Sequence, residues 1–450
     1  MQNMGAATKF TNSAMAKLLV IGVLVTVLLI PLEMVKGIIA ERSLRKQGAV
    51  EEVSRKWGAE QFIAGPILSI PYKAHVRNEK GVDTVSIHHA HFLPEELSVN
   101  GIVKPDIRYR GIYEIVLYSS ELQITANFGK IRFRELGIEE RDMLWDRAFV
   151  SVGIPDLKGM KKNNIMAWNK VDYPLNPGIE GTAFMESGIG ARIPVTGAQD
   201  QYTFQMNLNL NGSGQLNFLP LGKITTVHLS SSWKNPSFTG SFLPDERVVG
   251  EKGFDAKWKI LHLNRNYPQQ WIGKHAGLTE SVFGVKLFYP IDEYQKTERS
   301  VKYAVLFIML TFISFFLTEV INRKRLHPIQ YLLVGFAICL FYVLLLSISE
   351  HTSFWLAYLL SSVASILLVA LYTKGILKSL PMAATVGGLL TFLYGFLYVT
   401  LQMEDYALLL GSIGLGFVLA VVMYLTRKID WYTFSTVKTV DKSGGEEKIC

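Results

Sequence analysis

Six apolar runs of about twenty residues punctuate the chain: Leu18–Ile39, Val301–Ile321, Ile329–Ile348, Phe354–Thr373, Leu380–Leu401 and Tyr406–Thr426. Each is long enough, as a helix rising 1.5 Å per residue, to cross a hydrocarbon core of about 30 Å. The first stands alone near the N-terminus, interrupted by Pro31 and carrying Glu33 and Lys36, and continues into Ile38-Ile39 with no small-x-small cleavage site. It reads as an uncleaved transmembrane helix rather than a signal peptide. The other five follow one another closely after residue 300.

Between the first run and the second the pattern changes. A charged helix is expected over Leu44–Phe62, stopped by the proline-bearing stretch Ala64–Pro71. Beyond it, apolar residues alternate with period two in Glu114–Ala126, Gln201–Leu210, Gly214–Phe218, Lys223–Ser230 and Ala256–Leu263, short β-branched and aromatic runs separated by Gly, Pro and Asn. Asn211-Gly212-Ser213 reads as a hairpin loop between two of them. Strands at this spacing predict an antiparallel sandwich or barrel. Two echoes, Val116–Ser120 with Val227–Ser231 and Phe92–Glu96 with Phe242–Glu246, leave a duplicated sandwich open, although their offsets differ.

Charge orients the pattern. Arg323-Lys324-Arg325 lies in a turn too short to cross anything, and cations in short loops remain cytoplasmic. Lys9, Lys17, Lys374, Lys378, Arg427 and Lys428 fall on the same side, whereas the loops 349–353 and 402–405 carry no Lys or Arg. The fold expected is therefore an α+β membrane protein: a six-helix transmembrane bundle with a large β-rich, sandwich-like periplasmic domain inserted after helix 1. Its bounds are a cytoplasmic N-terminus 1–17, helix 1 at 18–39, the exported domain 40–300, helices 2–6 within 301–426, and a polar cytoplasmic tail 427–450.

Composition agrees with a chain divided between membrane and water: 49% apolar, 19% charged, mean hydropathy +0.22. The net charge of +8 is explained by membrane flanks and attraction to anionic head groups, not by nucleic acid. Its two cysteines, Cys339 and Cys450, form neither a disulfide framework nor a CxxC pair.

Several stretches resemble the CreD family of inner-membrane, cell envelope integrity proteins. They are Gly65-Pro66-Ile67 through Ile70-Pro71-Tyr72, Arg110–Glu114, Trp233–Pro244 (WKNPSFTGSFLP), and Arg299–Tyr303 through Ser349-Glu350-His351. The resemblance implies a bacterial cytoplasmic-membrane protein with a periplasmic domain, tied to cell-wall stress including the response to β-lactams, and it supplies no catalytic residue.

The sharpest candidates for chemistry are ionisable groups in or beside the apolar runs, since each is costly in lipid. Glu33, Glu350 and His351 lie near the outer surface and could together bind a cation, a proton or a lipid head group. Against that, all lie within a turn of an interface and could reach water. Glu319 lies near the cytoplasmic end of the second run, with Arg323–Arg325 as its expected partner. His89 and His91, two apart on a strand, share a face and are weak metal candidates. Ser119-Ser120 and Ser230-Ser231-Ser232 lack a GxSxG elbow or an SxxK sequence, and no GxGxxG or P-loop is present. The reading is a non-enzymatic protein without a cofactor, whose exported domain meets a wall, lipid or protein partner. A transporter or lipid-handling protein using Glu33, Glu350 and His351 is the first alternative, and a periplasmic wall-modifying enzyme the second. Gly387-Gly388, Gly395, Gly411, Gly414 and Gly416 suit packing within the bundle or a dimer face equally, so oligomeric state is not read.

Overall fold

The computed structural model describes residues 14–77, 83–161, 165–180, 185, 187–274, 277–287, 293–322, 326–403 and 406–427. The chain divides into two compact units, Met1–Leu44 with Ile291–Cys450, and Arg45–Pro290.

The first unit is helical. Helix α1 (Ala14–Trp57) begins in it, followed by α2 (Glu293–Lys302), α3 (Ala304–Asn322), α4 (Pro328–Ser349), α5 (Phe354–Leu377), α6 (Leu380–Gln402) and α7 (Ala407–Thr426). Among the described residues four helices, α1, α4, α5 and α6, are long and apolar enough to cross a membrane, and α2 with α3 makes a fifth if that pair, bent by 42°, is one span. The apolar α3 covers the expected span Val301–Ile321 except for its first three residues: the polar, amphipathic α2 ends at Lys302 and the chain bends at Tyr303 before α3 begins. Within α7 the described apolar stretch, Leu409–Val421, is shorter than a span. The basic residues 323–325, the end of the loop 402–405 and the tail beyond Arg427 lie outside the described residues.

Packing of α1 in this unit is specific. Leu28 is fully buried, and a Cβ added to Gly335 of α4 would collide with its side chain, so Leu28 fills a notch that only glycine leaves open. The C-terminal glycines divide. A Cβ at Gly414 would meet the Phe396 ring at 2.5 Å and one at Gly387 would touch Ala370 at 3.5 Å, whereas Gly388, Gly395 and Gly416 have nothing within 4 Å among the described residues.

Among the described residues the second unit has seventeen strands, in two mixed sheets that share one hydrophobic core. The eight-stranded sheet runs β14 (Glu246–Gly250), β15 (Gly253–Leu261), β12 (Ile224–Ser231), β3 (Glu96–Arg110), β4 (Tyr113–Phe128), β10 (Tyr202–Ser213), β6 (Ile165–Trp168), β7 (Val171–Pro174). The nine-stranded sheet is centred on β1 (Gln61–Arg77), which pairs with β2 (Asp83–Phe92), β5 (Phe149–Gly153) and β11 (Gln215–Phe218). Most pairs are antiparallel as expected, but β1 with β11 and β3 with β12 are parallel. The period-two runs are these strands: in β10 Tyr202, Phe204, Met206 and Leu208 enter the core while Thr203, Gln205 and Asn207 face water.

Two local expectations are corrected. Asn211-Gly212-Ser213 is not a hairpin loop. These residues continue β10 in register with β4 as far as Ser213, and the chain changes sheets at Gly214, whose φ of +69° suits glycine. The helix expected over Leu44–Phe62 is the end of α1, and it stops at Trp57-Gly58 rather than at the proline stretch, where β1 has already begun. Gly58 has φ +150°, and a Cβ there would meet the Asn211 carbonyl oxygen at 2.5 Å. The Trp57 indole is held between the Arg108 guanidinium (4.1 Å) and the Lys161 ammonium (4.7 Å), and its N–H donates to the Tyr118 carbonyl at 3.2 Å.

One echo has a structural meaning. Phe92–Glu96 and Phe242–Glu246 both carry the chain from the nine-stranded sheet to the eight-stranded one. In the first, the Glu95 N–H donates to the Asn127 carbonyl at 2.8 Å; in the second, the Asp245 N–H donates to the Lys257 carbonyl at 2.8 Å.

Candidate functional site

An apolar helix tolerates a carboxylate only where donors replace the lost water. Glu319, 5% exposed near the end of α3, has three such donors. Lys17 of α1 donates its ammonium to Oε1, the Leu326 backbone N–H donates to Oε1 at 3.1 Å, and the Tyr331 hydroxyl of α4 donates to Oε2 at 3.2 Å. Phe312 and Phe315 flank the Tyr331 ring at 5.5 and 6.0 Å and fix its direction. Glu319 therefore fastens α1, α3 and α4 together. Its expected partners, Arg323–Arg325, lie outside the described residues.

Glu350 caps the other end of α4, its side chain 10% exposed. The Tyr294 hydroxyl of α2 donates to Oε1 at 2.9 Å, and Arg42 Nε of α1 lies 3.6 Å from the same oxygen. The expected grouping with Glu33 and His351 is not what surrounds it. Glu33 is 66% exposed and pairs with Lys36 one turn along α1 at 2.5 Å. His351 is exposed, and its backbone N–H closes the last turn of α4 on Ile348. The residues that do meet Glu350, Arg42 and Tyr294, read in sequence as a flanking cation and as part of a polar lead-in. Nothing in their spacing signals a partnership across 308 and 56 positions.

The two clamps sit at opposite ends of the same helices. Lys17 and Arg42 are separated by 25 residues of α1, about 37 Å of helix axis, and Tyr331 and Glu350 by 19 residues of α4, about 28 Å, close to the thickness of a hydrocarbon core. On α4 the two clamps bracket an apolar stretch with no charged residue between its ends, whereas α1 carries the exposed Glu33–Lys36 pair between Lys17 and Arg42.

In the second unit, β1 and β2 bring His91 against Ser69. His91 is fully buried, its Nδ1 2.7 Å from the Ser69 hydroxyl, its ring 5.4 Å from Trp271 and stacked 6.4 Å from His89. Burial, and then the His89 charge, hold its pKa down at about 4, so the ring is neutral near pH 7. His89, half-buried and edge-on to Phe149 at 5.9 Å, is lowered by burial as well. Among the described residues no three His, Cys, Asp or Glu side chains gather to hold a metal. The pair is packed as a core feature with its Nε2 of His91 unpartnered among the described residues.

A buried cation that the sequence does not flag is Arg265, 8% exposed. Its Nη1 donates to the Tyr267 carbonyl at 2.6 Å, Nη2 donates to the Leu221 carbonyl at 3.3 Å and to the Gln269 side chain, and its guanidinium lies 4.1 Å from the Tyr267 ring centre. Carbonyl oxygens rather than a carboxylate meet its two terminal nitrogens, while Nε has no hydrogen-bond partner among the described residues, and it ties the segment after β15 to the turn before β12.

This combination of an apolar helical unit, its rim charges and a large two-sheet unit between first and second helices matches one family along its whole length. Residues 13–432 match the family described as Inner membrane protein CreD. The chain belongs to the CreD family. The Inner membrane protein CreD of Escherichia coli (strain K12) is 33% identical over 422 residues, covering 92% of this chain and 93% of that protein. Among solved structures, a putative nutrient binding protein from Legionella pneumophila subsp. pneumophila str. Philadelphia 1 aligns with 46% of this chain and 72% of its own at 6% identity and a TM-score of 0.22. So loose a superposition carries no argument. Within the stretch Trp233–Pro244, Phe238 packs edge-on to Phe254 (5.9 Å) and Trp258 (5.7 Å), and the Phe242 carbonyl accepts the Trp258 indole N–H at 3.3 Å.

Proposed function

We propose that this CreD-family chain is a six-helix inner-membrane protein, both termini cytoplasmic, that holds residues 40–300 in the periplasm and supports envelope integrity under cell-wall stress. The exported domain acts by non-catalytic contact with a wall, lipid or protein partner, and the helices anchor it. In favour of the topology are the basic residues Lys17, Lys374, Lys378 and Arg427 on one side and the cation-free loop 349–353 on the other. In favour of anchoring rather than transport is the state of Glu319 and Glu350: each carboxylate is already occupied by donors from neighbouring helices, which suits a fastening and leaves a transported ion little to bind.

Photo-reactive residues at exposed positions of the second unit, Tyr109 (67%), Leu243 (67%) and Val248 (72%), test this in cells. Discrete protein or glycan adducts from these sites are expected. Lipid adducts alone, with loss of function in Glu350→Gln at unchanged abundance, would instead support a lipid-handling role for the helices.

A further inference from the structure

The outward face of the eight-stranded sheet has an unusual chemistry for a solvated β-surface. Strands β12, β3, β4 and β10 align His228, Asn100, Gln123 and Asn207 in one row across the sheet. The next row along is Ser230, Ile102, Glu121 and Asn209. Their neighbours in sequence, such as Leu122 and Leu208, point the other way into the core, so the polar set occupies one face by the period of the strands. These residues line a cleft of about 490 Å³, within the range of small-ligand sites.

Its few charges are spent locally. Glu121 pairs with Lys104 at 2.6 Å, His228 with Asp255 at 2.8 Å, and Lys257 beside it with Glu246 at 3.2 Å. What remains free to meet a ligand is neutral: carboxamides and a hydroxyl, each both donor and acceptor. The single large apolar side chain among them is Ile102, 49% exposed. The buried core of a protein interface is enriched in aromatic and apolar side chains, and this strip offers one, Ile102. Anionic lipid or nucleic acid would require unpaired cations. A chain of pyranose rings requires neither: its hydroxyl and acetamide groups are donor–acceptor pairs of the same kind, and an apolar ring face can lie on one aliphatic side chain. Four strands about 4.8 Å apart give a strip about 14 Å wide, on which several rings fit side by side.

We propose that this cleft binds an uncharged glycan chain. The inference rests on the reading that the second unit faces the wall, and it names the surface and the ligand chemistry.

The test uses the purified full-length chain in detergent, with tetra-N-acetylchitotetraose and cellotetraose as probes by saturation-transfer NMR and titration calorimetry, and cosedimentation with isolated sacculi. Gln123→Ala/Asn207→Ala removes two exposed carboxamides whose loss leaves the core intact, checked by an unchanged thermal midpoint. The expected result is binding of at least one probe by the native chain and an affinity at least tenfold lower in the double variant. Preference for the chitotetraose assigns an acetamide-bearing strand, and preference for cellotetraose a plain glucan. Equal binding by native and variant chains overturns the cleft while leaving wall contact standing. If neither probe binds and sacculi do not retain the native chain, the glycan inference is overturned even where in-cell adducts identify a protein partner.

Discussion

Lys17, near the start of α1, donates to the carboxylate of Glu319, which lies 302 positions later in the chain. The contact joins the first apolar helix to α3 and, through Tyr331, to α4. Removing one member of a buried pair strands the other charge. Lys17→Met leaves Glu319 with only its N–H and hydroxyl donors, and because Lys17 is itself 31% exposed the expected cost is at the low end of the buried-pair range, about 3 kcal/mol. Lys17→Met/Glu319→Met should recover most of it. Thermal unfolding in detergent measures both. Equal stability of the single variant and the native chain would show that the pair fastens nothing.

The Leu28–Gly335 notch makes a second prediction. Gly335→Val places branched carbons where the Leu28 side chain sits, so α1 cannot seat against α4. Protease-resistant, folded protein should fall severalfold on expression, and Leu28→Ala combined with Gly335→Val should restore part of it.

His91 sets a pH dependence. Its pKa is about 4 in the folded chain against about 6.5 when unfolded, so between those values the unfolded chain binds more protons. Stability from this group is complete above about pH 6.5 and is lost on acidification toward pH 4, up to about 3 kcal/mol in total. His89 is shifted in the same direction and adds to it. The thermal midpoint of His91→Gln should fall less between pH 7 and pH 4.5 than that of the native chain. Parallel curves would contradict the assignment.

Trp258 tests the family motif as packing. It is 1% exposed, lies 5.7 Å from Phe238 and 5.8 Å from Phe283, and donates to the Phe242 carbonyl. Trp258→Ala should cost about 3 to 5 kcal/mol, while Val248→Ala on the exposed edge strand should cost under about 0.5 kcal/mol, both read from denaturant midpoints.

Alternation made the strands legible: β12, β15, β4 from Tyr118 onward and β10 up to Leu210 follow the apolar period closely, because one face of each is buried along that length. Pairing was not legible. That β10 leaves its sheet at Gly214, or that β3 lies parallel to β12, depends on contacts between distant strands that carry no local signature. The helical unit divides in the same way. Length and hydropathy locate α3, α4, α5 and α6 to within a few residues, but the separate polar helix Glu293–Lys302 and the bend at Tyr303 that joins it to α3 carry no hydropathy signal. Glu319 and Glu350 stand out as carboxylates beside apolar runs. Their partners Lys17, Tyr331, Arg42 and Tyr294 are ordinary flanking residues until the helices are packed.

The claim on which the rest depends is that the second unit lies outside the cytoplasm. With Cys339→Ala and Cys450→Ser as background, a cysteine at Leu263, 81% exposed, should react in outer-membrane-permeabilised intact cells with a membrane-impermeant maleimide. A cysteine at Lys378, beyond the end of α5, should react only after the inner membrane is opened. Labelling at 263 and protection at 378 is the predicted result; protection at 263 with labelling at 378 would invert the topology and contradict the proposed contact with the wall.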